Sequence, residues 1–453
     1  MKLKFILYVL ISTILVILSN CQNSIVDERQ TKANITTNSP KIKLKWLAQW
    51  YGEGKKETLI REIAREFTLL HQDIEIELEF PHQMAKINPD AVTFEYTVDT
   101  IVEMAKLNKW TYDIMLCDAG LYQRVGDSLR NRAWGGEFLV DFKEETWFVE
   151  AHKNNFFETK KNTNTYNGIA PGAYIEGVWN IFYLSSEVEK RLGIKIKTQN
   201  MNMSDFIAYA RVVSEYNKIH ADKITFFSNP QGNIMPFFNH LVMSALGKDS
   251  AYLIHEAIDA LNQAYLSVEK LAPYSPLSEY VDYENVRALH HDKILFIYYP
   301  SWINLLWQKS NPEGEKLMYP CELPSIDNKT SVAYSGRYNS VFVVPKNSKN
   351  REAAELLMKF ISSQETAEKW VKYSKCPTGL KNRISYSDFG KDDYTKFSQH
   401  INQKYQDKLG MVDLASLFFK TNKTIDFQVA KVMNGEITAD EALNSVLRQV
   451  NAK

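Results

Sequence analysis

The hydrophobic pattern after residue 41 begins with a strand, a helix and a second strand. Ile42, Leu44 and Trp46 alternate with lysines, as in a strand that is buried on one face. Residues 59–70 then place Leu, Ile and Phe side chains three and four positions apart, which is the spacing of one helix face. Residues 74–80 alternate apolar side chains with glutamates. A strand, a helix and a strand in this order predict a βαβ unit and an α/β fold.

The same fold class is indicated further along the chain. Short uninterrupted apolar runs predict strands that are covered on both faces, at residues 114–117, 294–298 and 341–344. Amphipathic stretches at residues 204–216 and 351–361 predict helices. Thr438 and Glu441 have the spacing of a capping box, and an apolar stripe follows them, so a last helix is expected there.

The N-terminus has a different pattern. Lys2 and Lys4 precede an uncharged run at residues 5–18, which is too short to span a bilayer but has the length of the apolar core of a signal peptide. The run ends in Leu-Ser-Asn-Cys, which resembles the lipobox of a bacterial lipoprotein. The resemblance implies a signal peptide at residues 1–20 and lipid attachment at Cys21. An uncut anchor and an ordinary signal peptide are the alternatives.

Composition and charge narrow the class of protein. Residues 21–40 are polar and without hydrophobic period, which indicates a flexible tether. The remainder is long enough for two or three domains. The chain has 54 basic and 54 acidic residues, and this balance argues against a nucleic-acid partner. No later segment has the length of uncharged apolar sequence that a membrane-spanning helix needs.

The cysteines and histidines give no sign of a metal or cofactor site. Cys117, Cys321 and Cys376 form no CxxC pair, so we expect small buried side chains, with one disulfide as the alternative. His290 and His291 have no histidine three or four residues away, and we predict no metal ligands. No cofactor is expected.

Aromatic and charged side chains stand at the ends of the predicted strands, where α/β sheets bind ligands. Aromatic rings stack on sugar faces, and carboxylate or guanidinium groups bind hydroxyls, so this mixture favours a carbohydrate. The alternatives are a tryptophan that closes the core, a helix cap at Asp118, and a surface ion pair or an acidic ligand at Arg337. The candidate ligand-binding residues are Trp50, Tyr51, Asp118, Trp179, Trp302, Tyr334 and Arg337.

Signals for catalysis are few. Residues 126–129 spell Gly-Asp-Ser-Leu, which resembles the nucleophile motif of GDSL esterases. No apolar strand precedes this motif, and His400 has Phe397 where those enzymes have an aspartate. A serine without a positioned base is a poor nucleophile, so we predict no catalytic residues and no enzyme. A glycosidase carboxylate pair stays open, because its spacing depends on the fold.

Several segments, taken in order, resemble one family, the extracellular solute-binding proteins of ABC transporters, and most closely its sugar-binding group. The strongest resemblance is the Pro-Lys-Asn-Ser-Lys-Asn-Arg-Glu-Ala-Ala passage at residues 345–354. The other segments that carry the resemblance are Tyr-Asp-Ile-Met at residues 112–115, Tyr-Asn-Gly-Ile-Ala-Pro at residues 166–171, Ile-Phe-Tyr at residues 181–183, and residues 291–302 and 435–443.

The resemblance implies a two-lobed, periplasmic-binding-protein-like (Venus flytrap) α/β fold, with a hinge and an interlobe cleft. Residues 41–172 and 334–360 would form lobe 1, and residues 173–333 and 361–453 would form lobe 2. A solute, expected to be a carbohydrate, would bind in the cleft of a monomer.

The resemblance also implies a cellular context. An ABC permease would receive the solute outside the cytoplasm, with the protein held at the membrane by its lipid anchor. Two other functions stay open. One is a surface sensor or interaction lipoprotein with the same fold, and the other is an anchored hydrolase.

Overall fold

The protein is described by a computed structural model over residues 40–50, 54–80, 89–152, 166–228, 234–246, 254–275, 288–326, 334–374, 378, 390–405, 409–410 and 422–451. From residue 43 onward the chain forms one compact unit. Cys21, most of the predicted tether and Tyr51 lie outside the described residues. Within the described ranges, no helix is both long and apolar enough to cross a membrane.

The strands form one mixed sheet in the order β2-β1-β3-β8-β4-β6-β5, with β7 paired to β4 and β9 to β8. The pairs β1/β3, β5/β6 and β8/β9 are parallel, whereas β3/β8, β4/β6, β4/β7 and β4/β8 are antiparallel. The strands are β1 (Ile42–Leu47), β2 (Ile74–Glu79), β3 (Ile114–Leu116), β4 (Tyr174–Ser185), β5 (Thr225–Ser228), β6 (Ile294–Pro300), β7 (Met318–Cys321), β8 (Tyr334–Val343) and β9 (Leu409–Gly410).

Helices surround the sheet. They are α1 (Lys55–Leu70), α2 (Pro89–Leu107), α3 (Ala119–Leu129), α4 (Trp134–Phe138), α5 (Thr146–His152), α6 (Ser186–Leu192), α7 (Met203–Ile219), α8 (Met235–Leu246), α9 (Ile254–Leu271), α10 (Ile303–Ser310), α11 (Pro312–Glu315), α12 (Arg351–Ile361), α13 (Gln364–Ser374), α14 (Asp393–Tyr405), α15 (Asn422–Met433) and α16 (Ala439–Asn451).

The structure confirms the predicted α/β class and the first strand, helix and strand. Strand β1 is followed by α1, whose residues Leu59, Ile60 and Ile63 are fully buried. The spacing predicts Leu70 on the same face, but Leu70 is exposed at the last position of α1. The predicted capping box is present, since Glu441 N donates to Thr438 Oγ1 and Thr438 N donates to a Glu441 carboxylate oxygen.

The buried apolar side chains form two clusters. The first cluster contains side chains of β1 to β3, of helices α1, α2, α12 and α13, of the start of β4 and of the end of β8. The second cluster contains side chains of the rest of β4, of β5 to β7, and of helices α6 to α10 and α14 to α16. Each cluster combines strands with covering helices, as expected for an α/β core.

Strands β4 and β8 connect the two clusters. Tyr174 and Ile175, at the start of β4, belong to the first cluster, whereas the side chains from Trp179 onward belong to the second. The pairing with β8 is antiparallel throughout this passage, but its register shifts on both sides of Glu176. Such irregularities can bend and twist a strand, and Glu176 lies at this irregular part of β4, between the side chains of the first cluster and those of the second.

Candidate ligand-binding site

A buried ion pair lies at the passage between the two clusters. Lys56, in the first turn of α1, donates to Glu176 of β4 with a distance of 2.6 Å between Nζ and Oε1. The Lys56 side chain is 3% exposed and the Glu176 side chain is 0% exposed. Burying two charges costs free energy unless their geometry is good and further hydrogen bonds satisfy them. A pair in this position therefore calls for a functional explanation.

Three tryptophans surround the ammonium group of Lys56. Its Nζ atom lies 5.8 Å from the ring centroids of Trp50 and Trp302 and 5.9 Å from that of Trp370. These distances are within the range of cation–π attraction. Trp50 and Trp370 belong to the first cluster, whereas Trp302 packs against the second. Lys56 therefore contacts aromatic rings that come from both clusters.

Trp50 is held on the side of the first cluster. Its ring centroid lies 5.0 Å from that of Trp370 and 6.0 Å from that of Phe342. The Trp50 backbone has a φ of 75°, in the left-handed region that bulky residues rarely adopt. Such strain is found at functional sites, where the surrounding structure holds it in place. In this protein, the packing of the buried Trp50 indole against two other rings holds the unusual backbone conformation in place.

Trp302 is held by the segment that follows β6. The neighbouring Ser301 donates from its backbone N to the carbonyl of Trp179 at 2.8 Å, and its Oγ accepts a hydrogen bond from Trp179 N at 3.1 Å. The Tyr394 hydroxyl donates to the Ser301 carbonyl at 2.7 Å. The Trp302 ring contacts Tyr299 edge-on at a centroid distance of 5.1 Å. The backbone of this segment is thus fixed, while the Trp302 side chain is only half-buried.

Asp118 lies directly beyond strand β3 and begins helix α3. Its carboxylate accepts a hydrogen bond from Leu121 N at 2.8 Å, so the helix cap that the sequence suggested as an alternative is present. The side chain is half-buried. The adjacent Cys117 carbonyl accepts a hydrogen bond from the Tyr166 hydroxyl at 2.9 Å, which links this strand end to the segment before β4.

The structure brings Trp50 and Trp302 together and places the other candidates differently. Trp179 is fully buried in the second cluster. Tyr334 and Arg337 lie in β8, opposite Leu409 and Val178, and only their backbone positions are described. Tyr51 lies outside the described residues.

Sequence reasoning did not identify Lys56, Glu176 or Trp370. A signal for Lys56 was present, because it stands three, four and seven residues before Leu59, Ile60 and Ile63, on the apolar face of α1. Glu176 is likewise an acidic residue in an otherwise apolar strand. Trp370 lies in an amphipathic helix, and nothing in the sequence distinguishes it from an ordinary core residue.

The Gly-Asp-Ser-Leu motif and the cysteines lie at positions outside this site. Residues 126–129 end helix α3, where Ser128 is exposed. Among the described residues, no group of three or more His, Cys, Asp or Glu side chains is arranged to hold a metal ion. Cys117 and Cys321 are buried free thiols, as predicted, and burial raises the pKa of both. Cys376 lies outside the described residues.

Comparison with known proteins identifies the fold. No family model matches the chain, and no curated protein matches its sequence. Among solved structures, the chain is similar to a sugar transporter from Rhizobium etli in an open conformation, with a TM-score of 0.64 and 13% identity over 91% of this chain and 100% of that one. It is also similar to the GacH receptor of Streptomyces glaucescens, with a TM-score of 0.63 and 12% identity over 90% and 98% of the two chains.

A third similar structure is an ABC substrate-binding protein from Listeria monocytogenes in complex with cycloalternan. Its TM-score is 0.60, with 14% identity over 91% of this chain and 98% of that one. These similarities extend over nearly the whole of each chain. The protein therefore has the two-lobed α/β fold of periplasmic-binding-protein-like structures.

Proposed function

We propose that the protein is the substrate-binding component of an ABC importer and that it captures a carbohydrate in the cleft between its lobes. The observation that carries the proposal is the meeting of Trp50 and Trp302, one from each hydrophobic cluster, at the buried Lys56–Glu176 pair. Indole faces stack on sugar rings, and a cleft lined from both sides allows a ligand to favour the closed form.

The proposed lobes follow the two hydrophobic clusters. Lobe 1 comprises residues 41–172 and 334–360, and lobe 2 comprises residues 173–333 and 361–453. The exception is helix α13, which we assign to lobe 1 because its Ala367, Trp370 and Val371 side chains are buried in the first cluster. The paired strands β4 and β8 would then be the hinge, with the shifts in their register around Glu176 as the place of bending.

The proposed ligand contacts combine stacking with hydrogen bonding. The half-buried ring of Trp302 provides a face for a sugar, and Trp50 stays a proposed contact from the first cluster, with its ring buried in this structure. Asp118, at the carboxyl end of β3, has a half-buried carboxylate that can accept hydrogen bonds from sugar hydroxyls while capping α3. We retain Tyr51, Tyr334 and Arg337 as proposed ligand-binding residues on their positions in the sequence, whereas the full burial of Trp179 in the second cluster favours the core position that was its alternative.

The similar structures support a carbohydrate ligand. The GacH receptor was solved with acarbose, and the Listeria protein with cycloalternan. Those proteins are a receptor and a substrate-binding protein, which agrees with a protein that releases its ligand unchanged. We accordingly propose that this chain is not an enzyme.

The proposed cellular context comes from the N-terminal sequence. A lipid on Cys21 and the tether at residues 21–40 would hold the protein outside the cytoplasm, beside the membrane that contains its permease. A binding protein delivers solute only where the permease can contact it, so an anchor of this kind agrees with the proposed role.

Thermal unfolding across a sugar panel tests the proposal. The full chain in mild detergent is heated with mono- and oligosaccharides, polyols and sugar phosphates. A ligand at one hundred times its dissociation constant adds about 2.7 kcal/mol to the free energy of unfolding, which raises the midpoint visibly. Each stabilising compound is then recovered and analysed chemically, and an intact ligand is the expected result.

Two variants locate the binding site. Trp302→Ala is expected to reduce the midpoint shift strongly but not to abolish it, because it removes the half-buried ring at the cleft and leaves the other proposed ligand contacts. Trp147→Ala is the matched control, since Trp147 is also half-buried but packs near Phe142 and Phe148 in the first cluster. A ligand that stabilises Trp302→Ala as much as the unaltered protein would contradict this location. A ligand that is consumed would contradict the transport role.

A further inference from the structure

The environment of Lys56 is unusual for a lysine. It stands on the apolar face of α1, where the neighbouring inward positions are Leu59 and Ile60, and it is only 2% exposed. Its ammonium group contacts the Glu176 carboxylate and lies near three indole rings. Replacing a buried ion pair with apolar residues of similar volume is often neutral or stabilising. The fold alone therefore does not explain why a charge is present at this position.

The ammonium group can set the orientation of the rings around it. An indole face carries negative charge density, so a cation at fixed distance favours one orientation of the ring. Trp50 is already confined by Trp370 and Phe342. Trp302 contacts the ring of Tyr299 but has a half-buried side chain, so its orientation depends more strongly on Lys56.

Glu176 determines where the ammonium group lies. It is fully buried on β4, at the position where the register with β8 shifts. The hydrogen bond from Lys56 Nζ to Glu176 Oε1 therefore links the start of α1 to the strand that connects the two clusters. This bond also neutralises the lysine charge, which allows the lysine to stay buried beside the rings.

We propose that Lys56, held by Glu176, is a positioning residue for the tryptophans of the cleft. The inference rests on the proposed function, because it concerns the affinity for a ligand that stacks on Trp302. The Lys56 ammonium holds the Trp302 ring in the orientation that stacks on a sugar, and it acts on the ligand through that ring. The affinity for the ligand then depends on the Lys56–Glu176 pair, even where the ligand contacts neither residue.

The test removes both charges together. A single substitution would leave the other charge buried without its partner, whereas Lys56→Met/Glu176→Gln keeps similar shapes and leaves no charge. Calorimetry on the full chain, with the best ligand of the sugar panel, is expected to show affinity lowered about tenfold, as loss of a desolvated cation–π contact predicts. Lys55→Met is the matched control, since Lys55 is the exposed neighbour, and its affinity is expected to stay within about twofold.

A coupling measurement distinguishes positioning from a general structural effect. If Lys56 acts through Trp302, the double substitution costs no further affinity in a Trp302→Leu background. The near-ultraviolet circular dichroism of the ligand-free protein is expected to change with the double substitution, and this change is expected to be smaller in the same background, where only Trp50 and Trp370 remain beside residue 56. Equal losses of affinity in both backgrounds would overturn the proposal, and so would unchanged affinity in the original background.

Failure of the proposed function has a different signature. If the unaltered protein binds no compound of the panel, the carbohydrate proposal fails, whatever the variants show. If it binds and the double variant binds equally well, only the positioning role fails. Should the double variant not fold, Lys56→Gln/Glu176→Gln takes its place with the same expectations, because two amide side chains can hydrogen-bond each other and neither carries a charge.

Discussion

Glu322 shows how one buried carboxylate can hold several segments of the second cluster together. It follows strand β7 and accepts hydrogen bonds from Asn200 N at 2.9 Å, His400 Nε2 at 2.5 Å and Lys404 Nζ at 2.9 Å. Burial raises the pKa of the Glu322 carboxyl, but the donors from His400 and Asn200 and the charge of Lys404 outweigh this effect. The pKa in the folded protein is therefore below its ordinary value of 4.5.

This network predicts an acid-dependent loss of stability. A carboxyl whose pKa is lowered by folding stabilises the protein above its unfolded pKa, and the contribution is lost as the pH falls through the folded value. We expect Glu322→Gln to lower the free energy of unfolding by about 1.5–3 kcal/mol near pH 7, the range for hydrogen bonds to charged groups. The difference between variant and unaltered protein should shrink as the pH falls below 4.5. Urea unfolding of both proteins at a series of pH values measures this difference in the free energy of unfolding.

The control for Glu322 is a carboxylate in an exposed pair. Glu313 contacts Lys316 at 2.8 Å, and their side chains are 83% and 65% exposed. Surface pairs of this kind contribute little, so Glu313→Gln should leave the free energy of unfolding unchanged at every pH. A pH-independent loss in Glu322→Gln would show that shape rather than charge is responsible.

Where the chain leads into β4, its backbone at Gly172 passes very close to the backbone of β8. A Cβ atom added at Gly172 would lie 1.7 Å from the carbonyl oxygen of Phe342 in β8 and 2.6 Å from the Met358 side chain. The carbonyl belongs to a paired strand, so it cannot move aside without disturbing the sheet. Residue 172 must be glycine because a larger side chain does not fit, and its φ angle does not require glycine.

We therefore expect Gly172→Ala to push the backbone at residue 172 away from β8. The free energy of unfolding should fall by about 1–3 kcal/mol, the usual cost of overpacking, or by more if the strand pairing is disturbed. Gly136→Ala in helix α4 is the matched control, because a Cβ there meets no atom within 4 Å. Chemical denaturation of both variants gives the comparison, and equal stabilities would contradict the role assigned to Gly172.

The elements that the sequence predicts well are those whose apolar spacing decides their structure. Helix α12 has the predicted bounds, Arg351–Ile361, because its apolar residues recur on one face. Strand β8 begins at Tyr334, well before the predicted run at residues 341–344. Its first half is defined by backbone pairing with β4, and hydrogen-bonded pairing between distant segments leaves no hydrophobic pattern in the sequence.

At the scale of the whole molecule, the sequence predicts parts of the site but not their arrangement. Trp50 and Trp302 could be proposed because each follows an apolar strand. Lys56 stands out in the sequence only by its place on the apolar face of α1, and its pairing with Glu176 could not be predicted, because 120 residues separate the two. Their meeting depends on the packing of α1 beside β4, which only the folded chain provides.

Ligand binding is expected to move the two proposed lobes relative to each other. If β4 and β8 form a hinge, ligand should move helix α2 relative to α7 while each lobe keeps its internal structure. Dyes are placed at Leu107→Cys and Ile219→Cys, which are 65% and 81% exposed, after Cys21 and Cys376 are replaced by serine. Energy transfer between the dyes should change when ligand binds, and the radius of gyration measured by X-ray scattering should decrease.

A label pair within one proposed lobe provides the reference. Leu107→Cys with Leu356→Cys joins helices α2 and α12, both of which contribute side chains to the first cluster, so its energy transfer should stay constant when ligand binds. Because a hinge moves whole lobes and leaves their cores intact, only the pair that spans the clusters should respond. Ligand binding with both pairs unchanged would show that capture occurs without closure, and a change in the reference pair would place the moving boundary inside lobe 1.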